Sequence, residues 1–506
     1  MKRWAWLIAL ALAVPAAAEQ KPEKPDKTKP AEKAAAASPE ELMRQAEQKA
    51  QAGDTDGAIE LLRKASEMPA STGEVSLRLG RLLEVKQQLD AAMDAYTAAG
   101  GKLTGAGKGE ALARLSLAQE TRGRAETTAT AEAAAAADAA GVWPTIALSR
   151  ARARAQQADE AIALAQKAVG AGGGAAASSA LGFAQEAKGD LAAAEAAYRA
   201  ALSAEGDHIT PSVGLARVLR KTNRAAEAEP ILAKALADSP GAVEAYKESA
   251  RVKLALHRAA DAVGDAATAA ALAETDPDAQ KLVGEVTVGK ALDLLAMNQA
   301  EQAIRELTEL RDKSPDFVPA RIGLAKALLA RRQADPAIVE LQKAVELDPS
   351  SAEAQYQLGR ARHLFKQDAA GAVAAYEKAV AAEPANLEYR TGLGAALVDQ
   401  KQFDRAATEL QKVTSSAGYD RAEGWVYLGG AHLGAKRYKE AIAALDKAVA
   451  KAPDSAQAEA YLAWSYFGLK DSANFKKHAG RAKSLGLKEP TLLSYLARVE
   501  AGEPIK

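Results

Sequence analysis

The sequence predicts an all-α superhelix: a solenoid of about thirteen helix-turn-helix units, closed by a C-terminal helix. Three observations predict it. A spacing of 34 residues recurs along almost the whole chain of 506. Within each period, apolar residues fall along one side of two successive helices. A small-bulky-small triplet then marks the second helix, as at Ala441, Leu445 and Ala448, and a stop follows it, as at Pro453.

Residues 422–455 show the period most clearly. Trp425, Leu428 and Leu433 share one side of the first helix, and Ala441, Ile442, Leu445, Ala448 and Val449 share one side of the second. Gly429 lies mid-helix, where Gly costs roughly 0.5–1 kcal/mol relative to Ala. Close approach by the second helix accounts for that cost, with Ala441 and Ala448 expected to face it. The unit resembles the tetratricopeptide repeat (TPR). Trp425, Leu428, Gly429, Ala441, Leu445, Ala448 and Pro453 stand at repeat positions 4, 7, 8, 20, 24, 27 and 32. His432 holds position 11, where the family prefers Tyr. The resemblance implies a right-handed α–α superhelix.

From its start, the chain reads first as a secretory signal over residues 1–18. Lys2 and Arg3 precede an apolar run of 11 residues, and Ala16, Ala17 and Ala18 offer a small-x-small cleavage site before Glu19. The run is short for a membrane span of about 20 residues, and no later stretch is apolar enough to span. There is no Cys. That excludes a lipoprotein-type anchor, disulfides and Cys-based metal or nucleophile chemistry, and favours a bacterial envelope over a eukaryotic secretory route. The formal charge is zero, which gives no case for nucleic acid. Residues 19–38 are a spacer of Lys, Glu, Pro and Ala with too little apolar surface to order itself.

The repeats occupy residues 39–488. Ser38, Pro39 and Glu41 form a helix start. Units begin at Pro39, near Gly73, near Gly109 (degenerate and Ala-rich), near Val142, near Ala175, near Ile209 and near Val243. The eighth is expected to carry an extra turn in its first helix, within residues 278–295. The ninth to thirteenth begin at Val318, Ala352, Leu387, Ala422 and Ala456. Residues 489–506 supply a capping helix and tail. Leu492, Leu493, Leu496 and Val499 make the apolar stripe needed to cover a last repeat that has no neighbour.

Nothing in the sequence supports catalysis, a cofactor or a metal. Residues 101–109, GKLTGAGKG, lack the spacing, the Ser or Thr and the preceding strand of a phosphate loop, and read as a helix-to-helix connection. Residues 170–174, GAGGG, read as an inter-repeat turn. His208, His257, His363, His432 and His478 are far apart, with no pair at metal spacing.

The resemblance further implies that positions 2, 5, 9, 12 and 13 of the first helices line a concave groove. Position 9 gives Arg81, Arg150, Arg217, Arg251, Lys326 and Arg360, and nearby positions add Arg154, Arg220, Lys221 and Lys247. Trp464 holds position 9 of the last repeat, with Phe467 beyond it. The expected groove is basic over its middle and aromatic at its C-terminal end, suited to a protein or peptide partner of acidic character. No repeat has Asn at position 9, so the family's carboxylate clamp for chaperone tails is not expected. The functional expectation is an exported, periplasmic scaffold or adaptor in an envelope assembly for secretion, motility, pili or polysaccharide export. The alternatives are a periplasmic module binding acidic peptide or polysaccharide, and a non-catalytic subunit of an envelope enzyme complex.

Overall fold

In a computed structural model, residues 38–204 and 208–505 are described. The expected signal and spacer, residues 1–37, lie outside them. The helical part starts as its sequence requires. Pro39 opens the first helix with its fixed φ, and Ser38 Oγ accepts from the N–H of Glu41 at 3.3 Å.

The described residues hold twenty-seven helices and no strand. The first fourteen form seven hairpins: α1 (Pro39–Gln51) with α2 (Thr55–Glu67), α3 (Gly73–Val85) with α4 (Leu89–Lys102), α5 (Gly105–Thr121) with α6 (Thr127–Ala137), α7 (Val142–Arg154) with α8 (Ala158–Gly170), α9 (Gly174–Lys188) with α10 (Leu191–Ser203), α11 (Ile209–Lys221) with α12 (Ala225–Asp238), and α13 (Val243–Ala255) with α14 (Ala259–Leu272). Six more follow: α15 (Pro277–Ala296) with α16 (Ala300–Lys313), α17 (Val318–Ala330) with α18 (Ala334–Leu347), α19 (Ala352–Lys366) with α20 (Ala369–Ala382), α21 (Leu387–Asp399) with α22 (Phe403–Thr414), α23 (Ala422–Gly434) with α24 (Tyr438–Lys451), and α25 (Ala456–Gly468) with α26 (Ser472–Ser484). The cap is α27 (Pro490–Glu500). Two compact units result, one reaching to Gly289 and one running from Lys290, with the division inside α15.

One backbone device closes every hairpin. A residue just past each first helix is left-handed, with φ between 53° and 86°, at thirteen positions from Gly53 and Gln87 to Lys436 and Lys470. The next N–H then reaches back to a carbonyl of the last helical turn, as from Gln402 to Leu397 at 2.9 Å and from Arg437 to His432 at 2.8 Å. This is the Schellman closure, which satisfies carbonyls that the helix end would otherwise orphan. Ten of the thirteen residues are not Gly; they are Gln, Asn, His, Arg or Lys, none β-branched, the class this conformation strains most.

The packing inside each hairpin pairs position 8 of the first helix with position 24 of the second, and their sizes are complementary. Tyr96, Tyr198 and, one residue later in its longer unit, Tyr376 lie over Gly80, Gly182 and Gly359, where a Cβ would stand 2.4–2.8 Å from the ring. Leu410 and Leu445 lie over Gly394 and Gly429. This corrects the expectation for Gly429: its neighbour at closest approach is Leu445, whose Cγ would be 2.4 Å from a Cβ, and not Ala441. Ala441 and Ala448 are fully buried in one cluster with Val426 of their own repeat and Ala458 and Leu462 of the next. Where position 24 is small, position 8 enlarges, as at Ser149 with Ala165, both fully buried.

One departure from the sequence reading has a local cause. The stretch 101–109 is mostly helical: α4 runs to Lys102 and α5 starts at Gly105, so the connection is only Leu103 and Thr104. Leu103 reaches back over Gly73 and Gly107, and Gly105 at φ 55° turns the chain into α5. The extra length expected in the eighth repeat is present, since α15 has 20 residues where the neighbouring first helices α13 and α17 have 13. At the C-terminus, α27 buries Leu492 and Leu496 against α26, with Tyr495, Val499 and Ile505 packed beside them.

Candidate functional site: the inner face of the first helices

The face of each first helix turned away from its own second helix carries most of the side chains that differ between repeats. In the first unit these side chains pair with one another across repeat boundaries. Arg81 holds Glu110 at 2.6 Å. Arg114 reaches Glu84 at 2.9 Å while its cationic carbon lies 3.8 Å from the Trp143 ring centre. Arg150 and Arg154 both grip Glu120, at 2.5 and 2.7 Å. Arg217 and Lys221 share Glu186 at 2.8 Å. Arg220 meets Glu248 at 2.7 Å, Lys247 meets Asp276 at 2.9 Å and Arg251 meets Asp278 at 2.8 Å.

Several of the carboxylates in these pairs are buried, while Glu84 and Asp278 are partly exposed. Glu120 and Glu248 leave only 2 % of their side chains exposed. Burial pushes the Glu120 carboxyl up, but Arg150 and Arg154 outweigh it and hold the group below the usual range. Glu186 is lowered in the same way, burial opposing and Arg217 and Lys221 prevailing. Along this face of the first unit, each arginine singled out from the sequence has a carboxylate in a neighbouring repeat. The arrangement is an inter-repeat ion-pair ladder with little free positive charge.

In the second unit Lys326 pairs with Glu353 at 2.7 Å. Arg360 has no carboxylate partner among the described residues; its Nη1 donates to Gln357 at 3.1 Å, and it lies 5.8 Å from the Tyr356 ring centre. Trp464 and Phe467 stand 5.5 Å apart beneath α27, with Tyr495 at 5.9 and 4.8 Å, and Trp464 Nε1 donates to Glu489 at 3.2 Å. The structure thus draws Arg150 with Arg154 to one acid, and Trp464 with Phe467 into one aromatic cluster. It also draws Arg217 with Lys221 to Glu186 and Lys247 with Arg251 to Asp278, while Arg81, Arg220 and Lys326 each reach a separate acid.

A second ladder runs along the turn edge, with a cation near each closure reaching an acid on the preceding second helix. Lys86 meets Asp56, Arg122 meets Asp90 and Lys366 meets Asp335. These acids are well exposed, so each pair contributes about 0–1 kcal/mol.

His432 is only 8 % exposed on α23, and its Nδ1 accepts from Arg437 Nε at 3.1 Å. Burial, then the Arg437 charge, holds its pKa below the ordinary value, against weaker opposing pulls from Glu440 and Asp404. A depressed histidine pKa favours the folded state when neutral. Its contribution is complete above about pH 6.5 and is lost as pH falls below that. The expected result is a drop in thermal stability of the twelfth repeat between pH 7 and pH 5 that His432→Gln, an acceptor that does not titrate, abolishes. Equal drops in both proteins would show that His432 contributes nothing to it.

Among the described residues no group of His, Asp or Glu is arranged to hold a metal, and no helix is long and apolar enough to cross a membrane.

Family models for the tetratricopeptide repeat match residues 43–102, 362–416 and 391–456, and residues 186–238 and 294–362. No curated protein sequence matches the chain. Among solved structures, the chain is similar to one of the APC/C hetero-tetramer Cut9–Hcn1, at 13% identity and a TM-score of 0.41, covering 91% of this chain and 96% of that one. It is also similar to PilW, a type IV pilus biogenesis factor, at 16% identity and a TM-score of 0.38, covering 42% and 98%. A third is YrrB, a TPR protein with an unusual peptide-binding site, at 21% identity and a TM-score of 0.33, covering 37% and 96%. The repeats of this chain are tetratricopeptide repeats, and it belongs to that family.

Proposed function

We propose that the chain is a non-catalytic scaffold, exported through the segment 1–18 and holding partner proteins in an assembly of the cell envelope. One observation carries the scaffold reading. Position 8, position 24 and the left-handed residue that closes each hairpin obey the same size and backbone rules in repeat after repeat, whereas the inner positions change from Arg and Glu to Tyr, Leu and Trp. A surface that varies while its frame stays constant is how a repeat stack presents an extended binding face. The envelope placement rests on Lys2, Arg3, the apolar run and the Ala16–Ala18 site. In this reading an acidic partner at Arg150, Arg217 or Arg251 works by exchange, displacing resident carboxylates such as Glu186.

The test is site-specific photocrosslinking in whole cells from Arg154 and Lys221, with fractionation and N-terminal sequencing. The expected result is a mature chain beginning at Glu19, outside the cytoplasm, crosslinked to a small set of envelope proteins. A chain that keeps residues 1–18 in the cytoplasm overturns the export reading. A correctly exported chain without crosslinks overturns the binding role of the arginine ladder.

A further inference from the structure

The same face in the second unit has a different chemistry. Over repeats ten to thirteen it is underlain by tyrosines: Tyr356, Tyr376 and Tyr389 are buried at its base, and Tyr427 and Tyr461 are half-buried along it. The Tyr356 ring stands 4.6 Å from Tyr389 and 5.6 Å from Tyr376. Gly392 lies under Tyr376 and Gly430 under Tyr461, each so close that a Cβ would approach the ring to 3.0 Å. Two glycines thus let rings lie flat on the helix backbone. Tyr427 stands between them in sequence; burial, then Glu423, Tyr461 and Asp399, raises its pKa and keeps it a neutral phenol.

Acids are interleaved with these rings. Tyr356 donates to Glu388 at 2.7 Å, and His363 Nε2 is 2.7 Å from Asp399. Glu423 forms an exposed ion pair with Arg421, two residues away on its own turn. Glu388, Asp399 and Glu423 are all exposed. Among the described residues none of the three pairs with a Lys or Arg of a neighbouring repeat. In the first unit Glu120, Glu186 and Glu248 are buried and each is gripped by one or two cations. The wall therefore keeps acids that no Lys or Arg of its neighbouring repeats neutralises, beside the half-buried rings of Tyr427 and Tyr461, whose faces attract cations. Arg360, seated 5.8 Å from the Tyr356 ring centre, is an internal instance of that attraction.

We propose that the inner face of repeats ten to thirteen binds an extended protein segment carrying lysine or arginine. The cationic heads sit against Tyr427 and its neighbouring rings, and Glu388, Asp399 and Glu423 supply the charge. This names a partner chemistry for the scaffold and rests on that reading. It is opposite in sign to the partner suited to the arginine ladder.

The probe is a fluorescein-labelled peptide alternating lysine and alanine, titrated against the full chain by anisotropy, with the glutamate–alanine peptide as its counterpart. The lysine peptide is expected to bind saturably and more weakly as salt rises, and the glutamate peptide not to bind. The near-isosteric triple variant Glu388→Gln, Asp399→Asn, Glu423→Gln is expected to lose at least about tenfold in affinity. Tyr427→Leu is expected to lose several-fold and Tyr427→Phe, which keeps the ring face, to bind like wild type. The variant Lys86→Ser, on the turn edge of the first unit, is expected to bind unchanged. Circular dichroism confirms that each variant is folded. Equal binding of both peptides, or wild-type affinity in the folded triple variant, overturns the proposal. Failure of peptide binding in a chain that still crosslinks to envelope proteins removes the wall and leaves the scaffold. Peptide binding through the wall in a chain with no envelope partner does the reverse.

Discussion

Gly429→Leu is expected to destabilise the twelfth repeat by about 1–3 kcal/mol, the usual cost of overpacking a filled core. The site has no slack: a Cβ there would already stand 2.4 Å from Leu445 Cγ and 2.6 Å from its Cδ2. The identity of the neighbour gives a sharper test than the loss itself. In a double-mutant cycle, Gly429→Ala should be coupled to Leu445→Ala by about 0.5–3 kcal/mol, because shortening Leu445 opens the space that the added methyl group needs. Gly429→Ala combined with Ala441→Gly should be additive. Coupling to Ala441 rather than Leu445 would mean that the two helices cross in another register. Hydrogen exchange across α23 and α24 is the right readout, since a repeat stack need not unfold in one step.

Glu120→Ala is expected to cost about 3–5 kcal/mol, the range for removing one partner of a buried ion pair. Glu120 has 2 % of its side chain exposed and Arg150 16 %. Without the acid, Arg150 remains against the Phe183 ring, 4.4 Å from its centre, with its charge unanswered. Arg154, half-exposed, can turn to water. The double variant Glu120→Leu, Arg150→Met removes both charges and should recover most of the loss. If the single variant unfolds no earlier than wild type, the pair is solvated and the ladder is decorative. Because the Glu120 carboxyl is held below its ordinary value of 4.5, its contribution is present above that pH and is lost as pH falls through the lowered value. The contrast is Asp404→Ala on the turn edge, whose partner is Arg437 and whose side chain is 86 % exposed. That change should cost at most about 1 kcal/mol.

The repeats were legible because their markers are local. Leu428 and Gly429, the Ala441–Leu445–Ala448 triplet and Pro453 lie within one period and recur at fixed offsets. The capping helix was legible for the same reason. What the period does not reveal is which side chains meet. Helix crossing sets Gly429 under Leu445, and nothing in the spacing distinguishes Leu445 from Ala441 as the neighbour. The charges show the limit again. Position 9 displays its arginines plainly, but each acid stands one repeat away, and Glu120 to Arg150 or Glu186 to Arg217 had to be read across the boundary. The usable signal was an acid 30 or 31 residues ahead of each of these arginines. The tyrosine wall left a compositional trace, since nine of the chain's twelve tyrosines follow residue 350. Its open acids depend on which neighbours are absent, and only the structure shows that.

The ion-pair ladder also imposes an order on units that are otherwise alike. Repeats three and five each present an acid, Glu120 and Glu186, to the repeat that follows, and repeats four and six answer with two cations apiece, Arg150 with Arg154 and Arg217 with Lys221. Repeat four offers Ala153 where those acids stand, and repeat five answers with Phe183 instead of a cation. Excising repeat five would set Arg217 and Lys221 beside Ala153 and Arg154, like charge against like with no acid between them. The hairpins share one frame, yet they are not interchangeable bricks: each junction works as a lock cut for a single key, so a chain that gained or lost a repeat here would have to recut both neighbouring faces before the stack could close again.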